Sequence, residues 1–201
     1  MLKYILIVSF IFSFGICFSQ VNSQDIKMIS EYGTKNKELA NLLFFQNIDF
    51  YKVKFVGNRL NNFKILAKEI WDGEIKKIDT LINTSKIQGW KSESEFDTLS
   101  LTIIASKVDS SKLKIFFRFP TFAVVRKFNA INSDDYSFRI IGSNSYIKKN
   151  EFSPVFAYIL PYIEENIKMY CAVDQSGIDV YNWGKKFNIP HYIVFEIKFE
   201  D

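Results

Sequence analysis

A mainly β fold, an antiparallel β-sandwich or open barrel of seven or eight strands with a short N-terminal helical segment, is the class this sequence predicts. Three observations carry it. From Asp49 onward, apolar residues recur at every second position rather than every third or fourth. Short turn signals, among them Asp72-Gly73 and Asp109-Ser110-Ser111, separate these runs. No strand–helix–strand alternation and no glycine-rich phosphate motif interrupts them. The 201 residues suffice for one domain with its own core, and 48% hydrophobic residues, including 21 Phe, exclude disorder. The organisation expected is a signal peptide at 1–19, a helical segment or arm at 20–48 and a single mostly-β domain at 49–201.

Residues 23–46 are the one long helical candidate. Ser23 or Asp25 caps a short helix with Ile26, Ile29 and Tyr32 near a 3.6 spacing, closed by Gly33. Leu39, Leu42 and Leu43 then share one side of a second set of turns. Beyond it, Tyr51, Val53 and Phe55 alternate with Lys52 and Lys54, and Phe63, Ile65 and Ala67 with Lys64 and Lys68. Asp72-Gly73, between Trp71 and Glu74, supplies the positive φ angles of a type I′ hairpin turn.

A second hairpin runs from Leu99 to Ala105 and back from Leu113 to Phe119, with Pro120 breaking the return strand. Phe122 to Phe128 and Tyr136 to Ile141 continue the pattern. Ser153-Pro154 suits a helix start, while the residues up to Leu160 suit an edge strand equally well. Lys168 to Val173 and His191 to Phe199 read as strands, the latter with Ile193, Phe195, Ile197 and Phe199 facing one way.

The first twenty residues read as an export signal: Lys3, an apolar run from Tyr4 to Phe18, and Cys17 and Ser19 at the −3 and −1 positions of a cleavage site. The run is shorter than the roughly 20 residues of a membrane-spanning helix. Its ending, Cys17-Phe18-Ser19-Gln20, resembles export signals of AT-rich Gram-negative bacteria. Ile16 before Cys17 argues against a lipidated cysteine. Cleavage after Ser19 leaves 182 of the 201 residues and Cys171 as the sole thiol, so no intramolecular disulfide forms. The expected location is the periplasm, the cell surface or the extracellular space.

Chemistry-bearing residues are few. His191 is the only imidazole, and a dyad would pair it with Cys171 or a serine and with Asp174 or Asp179. One His excludes multi-His metal centres, and a net charge of +4, spread along the chain, gives no nucleic-acid footprint. The acidic pairs Asp134-Asp135 and Glu164-Glu165 read as solvated turns, and Lys76-Lys77, Lys148-Lys149 and Lys185-Lys186 as strand edges. No pattern implies a cofactor.

Loop aromatics are the better candidates for contact with a partner or glycan. Trp90, Tyr181 and Trp183 are the residues named, and Ser176 to Phe187 is the first candidate functional loop. Thr80 and Thr98, in Asp79-Thr80-Leu81 and Asp97-Thr98-Leu99, resemble O-glycosylation acceptors of exported Gram-negative proteins, and Asn83-Thr84-Ser85 fits an N-glycosylation acceptor. The reading is an exported bacterial protein with a non-catalytic binding domain, its partner an envelope protein or a glycan. Two alternatives stand beside it. One is a carrier of an apolar ligand such as a lipid, lined by Phe116, Phe117, Phe119, Phe122 and Phe128; the other is a hydrolase using His191.

Overall fold

Alternating apolar residues, each run met by a partner of the same period, organise the described residues 25–87, 97–142, 146–170 and 179–201 of a computed structural model. Among them are 13 strands in three antiparallel sheets, with only short helices. The sequence led us to expect seven or eight. The surplus comes from strands whose spacing suits helix or loop equally well, and from three-residue ribbons too short to show a period.

The larger sheet curls into a half-barrel of six strands. Its members are β1 (Asp25–Tyr32), β2 (Asp49–Val56), β5 (Thr98–Asp109), β6 (Lys112–Arg118), β7 (Ala123–Asn129) and β9 (Tyr146–Lys148), in the order β7-β6-β5-β2-β1-β9. A five-strand sheet has the order β4-β3-β13-β10-β8, from β3 (Asn62–Trp71), β4 (Glu74–Asn83), β8 (Ser137–Ile140), β10 (Ser153–Ile159) and β13 (His191–Glu200). β11 (Tyr162–Glu164) and β12 (Ile167–Met169) form a separate ribbon, turned by the positive φ angles of Glu165 and Asn166.

Residues 25–32 correct the helical expectation. Ile26 and Met28 are buried while Lys27 and Ile29 face out, a period of two that pairs with β2 on one side and β9 on the other. The 3.6 spacing of Ile26, Ile29 and Tyr32 fits the same residues, and tertiary pairing decides between the two. The second half of the candidate does form a helix, α1 (Lys37–Phe45). Asn36 caps it, its Oδ1 accepting from Leu39 N–H at 3.0 Å.

Residues 153–159 settle as a strand, and as an interior one. β10 lies between β13 and β8, and every residue from Val155 to Leu160 is buried. A buried interior strand is apolar on both faces, so its sequence has no alternation to separate it from a buried helix. Pro154 sits at a register shift, where the ladder needs no N–H from it.

The two large sheets meet through rings on their inward faces. Phe55 of β2 packs edge-on to Phe199 of β13 at 5.3 Å, Phe117 of β6 to Phe195 at 5.6 Å, and Phe128 of β7 to Phe195 at 5.9 Å. Such pairs add about 0.5–1.5 kcal/mol each beyond the area they bury.

β13 is covered on its other face as well. The segment 179–189, with the short helix α2 (Trp183–Phe187), lies across it. Trp183 is fully buried against Tyr192, whose hydroxyl donates to Val180 O at 2.9 Å. α2 docks on the β3–β4 turn, where Asp72 and Gly73 have φ of 52° and 74°, as the Asp-Gly pair predicts.

That contact is backbone on backbone. A Cβ on Gly184 would lie 2.7 Å from Gly73 Cα and 2.8 Å from Gly73 N. Gly184→Ala therefore forces α2 off the turn and uncovers Tyr192. We expect a loss of about 1–3 kcal/mol, read as a lower denaturation midpoint with an unchanged slope.

Candidate functional site

Two adjoining clefts open where α1, the β5–β6 turn and the 131–137 loop converge. One, of about 310 Å³, is lined by Gln46, Asn47, Lys107, Asn132, Asp134 and Tyr136 among others. The other, of about 280 Å³, is lined by Tyr32, Asn47, Asp49, Asp134, Arg139 and Tyr170 among others. Asn47, Asp134 and Tyr136 belong to both, so the two form one end cleft.

The cleft exists because of how one sheet edge is closed. β8 is an edge strand, and Phe138 turns its backbone away from β10. Asp49 Oδ2 accepts from Phe138 N–H at 2.7 Å, and the Tyr51 hydroxyl donates to Phe138 O at 3.1 Å. Two side chains of β2 thus satisfy the free edge of the other sheet, which would otherwise invite a foreign strand. Burial pushes the Asp49 carboxyl up to about 6, although the Phe138 N–H and the Arg139 charge both pull it down.

The walls are fixed by polar contacts. Lys107 Nζ donates to Asn132 Oδ1 at 3.2 Å and to Asp134 Oδ1 at 2.9 Å. Lys168 Nζ reaches both oxygens of Asp135 at 2.8 Å and holds that carboxyl below its ordinary range. The Tyr170 hydroxyl donates to Asp135 O, and the Arg139 guanidinium lies 4.4 Å from the Tyr170 ring centroid. Tyr32 is 65% exposed at the mouth, its ring 4.9 Å from that of Tyr51. The cleft offers aromatic faces beside carboxylates, amides and a guanidinium.

His191 lies behind this cleft, fully buried. Its ring lies 3.9 Å from that of Trp71, and its Nδ1 is 2.5 Å from the Tyr136 hydroxyl. That hydroxyl also accepts from Ile131 N–H at 3.1 Å. Nε2 is buried without a hydrogen-bond partner among the described residues. Desolvation lowers the pKa of His191 to about 4 and raises that of Tyr136 to about 12. A nucleophilic dyad needs a serine or thiol at one nitrogen and an orienting carboxylate at the other. The partners described are a phenol and an indole, and Cys171 and Asp174 lie outside the described residues.

The aromatic candidates fare unequally. Trp90 lies outside the described residues. Trp183 is corrected: its ring is 0% exposed, so it presents no face to a partner or glycan. Tyr181 is half-buried, its hydroxyl donating to Glu196 and its ring 4.6 Å from Lys68 Nζ. Lys68, bonded to Glu196 at 2.9 Å, neutralises this carboxylate, which is 2% exposed, and Tyr181 gives it a further hydrogen bond. Phe117, Phe119 and Phe128 are core, Phe122 stacks on Phe119 at 4.6 Å, and Phe116 is half-buried on the outward side of β6.

Thr80 and Thr98 are both exposed. Thr84 is buried, its Oγ1 accepting from Phe63 N–H at 2.8 Å, while Asn83 Oδ1 accepts from Ser85 Oγ at 2.6 Å. Among the described residues no three His, Cys, Asp or Glu converge as metal ligands. The residues of the end cleft went unnoticed in the sequence, because they come from segments scattered between Tyr32 and Tyr170 and share no spacing. No protein-family model, curated protein or solved structure matches the chain.

The two buried titrating groups oppose each other. His191 falls from 6.5 unfolded to about 4 folded, so the unfolded chain binds more protons across that window and stability drains as pH falls, by about 3 kcal/mol in all. Asp49 rises from 3.8 to about 6, so the folded chain binds more protons there and stability grows as pH falls, by about the same amount. Thermal melts of the unsubstituted chain between pH 6 and 4 are expected to show only a shallow slope from these groups. Asp49→Asn removes one side of the balance, and its melting point should fall steeply from pH 6.5 to 4. A profile as shallow as the parent's contradicts the assignment.

Proposed function

We propose that this protein is a non-catalytic binding module of a bacterial cell envelope, exported by its first 19 residues, which receives a hydroxyl-rich ligand, a glycan, in the end cleft. The observation that carries the reading is the cleft's make-up. An exposed tyrosine ring stands beside amides, carboxylates and a guanidinium held by hydrogen bonds and ring contacts to three strands and a loop. Sugars use both kinds of surface, apolar CH faces against rings and hydroxyls against carboxylates and amides. Such sites gain affinity when their polar groups are already oriented.

The finer architecture we favour is a two-sheet sandwich, since the rings of the curled sheet meet those of the five-strand sheet. The apolar-ligand carrier is the weaker alternative, because Phe117, Phe119 and Phe128, which it needs as a lining, are packed as core. A hydrolase using His191 is weaker still, since the imidazole is sealed behind Trp71 and Tyr136.

A glycan array probed with the chain, followed by calorimetry on the best ligand, tests the reading. Tyr32→Ala and Asp134→Ala, both at exposed positions, are expected to weaken that ligand at least tenfold with melting points unchanged. Absence of any glycan ligand, or affinity indifferent to both variants, contradicts it. Intact mass of the protein from its own cells tests export. A polypeptide beginning at Gln20 is expected, and any added hexose mass is expected to vanish in Thr80→Ala/Thr98→Ala.

A further inference from the structure

The outward face of the half-barrel carries a charge pattern that the sequence conceals. Positions between the buried ones bring Lys27, Lys52, Lys54, Lys114, Arg118 and Lys127 to this face, on strands β1, β2, β6 and β7. Acids are few on it. Among the described strand residues, Asp25 stands opposite Lys148, Asp109 opposite Lys112 and Glu31 opposite Lys52, so three acids stand among the six cations, Lys112 and Lys148.

None of these six cations is ion-paired among the described residues. On the other sheet, by contrast, Lys64, Lys68, Lys77 and Lys198 all have a carboxylate within 3.4 Å. Moreover, Lys114 stands directly opposite Lys127. Like charges in register on neighbouring strands repel, so this pair is held at a cost that an anion between them would lift.

Register turns the cations into rows. Lys52, Thr102 and Arg118 lie side by side across β2, β5 and β6, and Lys54 stands next to Ser100. These five residues and Pro120 line a groove of about 310 Å³. A cation–hydroxyl–cation row matches a carboxylate or sulfate, because the hydroxyl donates between two charges. Ser106, Lys114 and Lys127 form a second row. Lys114 and Arg118, four positions apart, are separated by roughly 13 Å along β6.

We propose that this face binds an acidic polysaccharide, a linear polymer bearing carboxylates or sulfates, across the Lys52–Thr102–Arg118 and Ser106–Lys114–Lys127 rows. Two separated rows suit a chain charged along its length better than a single ion. The sheet curls away from solvent, so its outward face is convex: a flexible polymer follows it, whereas a flat bilayer touches only a strip. Single-stranded nucleic acid needs aromatic platforms among the cations. Among the described residues the exposed ring on this face is Tyr146, on the edge strand β9, while Phe50 and Phe116 are half-buried between neighbouring strands. The face is separate from the end cleft, so this proposal and the glycan reading stand or fall independently.

The test uses the whole chain with heparin as the sulfated probe and polygalacturonate as the carboxylated one. Binding to at least one is expected at 50 mM salt, weakening steeply as salt rises. Lys52→Gln/Lys54→Gln/Arg118→Gln is expected to lose at least tenfold in affinity. A control with the same charge loss, Lys76→Gln/Lys77→Gln/Lys185→Gln, is expected to bind as the parent does. The proposal is overturned by no binding to either polymer, by equal losses in both triple variants, or by tighter binding to single-stranded DNA or to phosphatidylglycerol vesicles.

Discussion

Everything in this molecule answers to a strand that is apolar on both sides. β13 pairs with β3 and β10, and from His191 to Ile197 every side chain is out of water. One face is covered by the rings of the half-barrel and the other by the segment carrying α2. The polar groups that β13 takes inside then need partners, because a buried, unpaired polar group costs several kcal/mol. Glu196 receives Lys68 and Tyr181, and His191 receives the Tyr136 hydroxyl. The surroundings of both candidate catalytic and candidate partner residues therefore follow from the burial of one strand.

The seam between the sheets supplies the second constraint. Asp49 and Tyr51 spend their polar atoms on Phe138, and this closes the β8 edge while leaving a recess above it. Asp49, which helps prevent edge-to-edge pairing, also lines the end cleft, and Tyr51 packs against the Tyr32 ring at its mouth. Protection against aggregation and the creation of a polar recess are one structural solution here.

Period-two alternation made most of the fold readable. Val53 and Phe55, Leu99 to Ala105, and Ile193 to Phe199 all face inward as their spacing implies, and Asp72-Gly73 turns as its chemistry requires. What stayed hidden lacks a local period. Ile26 and Met28 fit two periods, Val155 to Leu160 fits none, and Trp183 reads as a loop residue although it is packed as core. The surfaces proposed for function were the least visible. Tyr32, Asp49, Arg139 and Tyr170 share no spacing, and Lys52 and Arg118 become neighbours only through the order of three strands. Along the chain these basic residues alternate with apolar ones; in the sheet they come together on one face.

Sequence distance within the five-strand sheet bears on time as well as on shape. The half-barrel contains hairpins that close within a few residues of chain, β5 with β6 and β6 with β7. The β3–β13 ladder instead joins Phe63 to Phe199. Contacts so remote in sequence form late and slowly, since a long loop must close before any of them stabilises the chain. Until β13 arrives, β3 has only β4 beside it and β10 only β8, so the core between the two large sheets stays incomplete. A polypeptide with an incomplete core can still be held by a chaperone, and completion of this one ladder closes that interval.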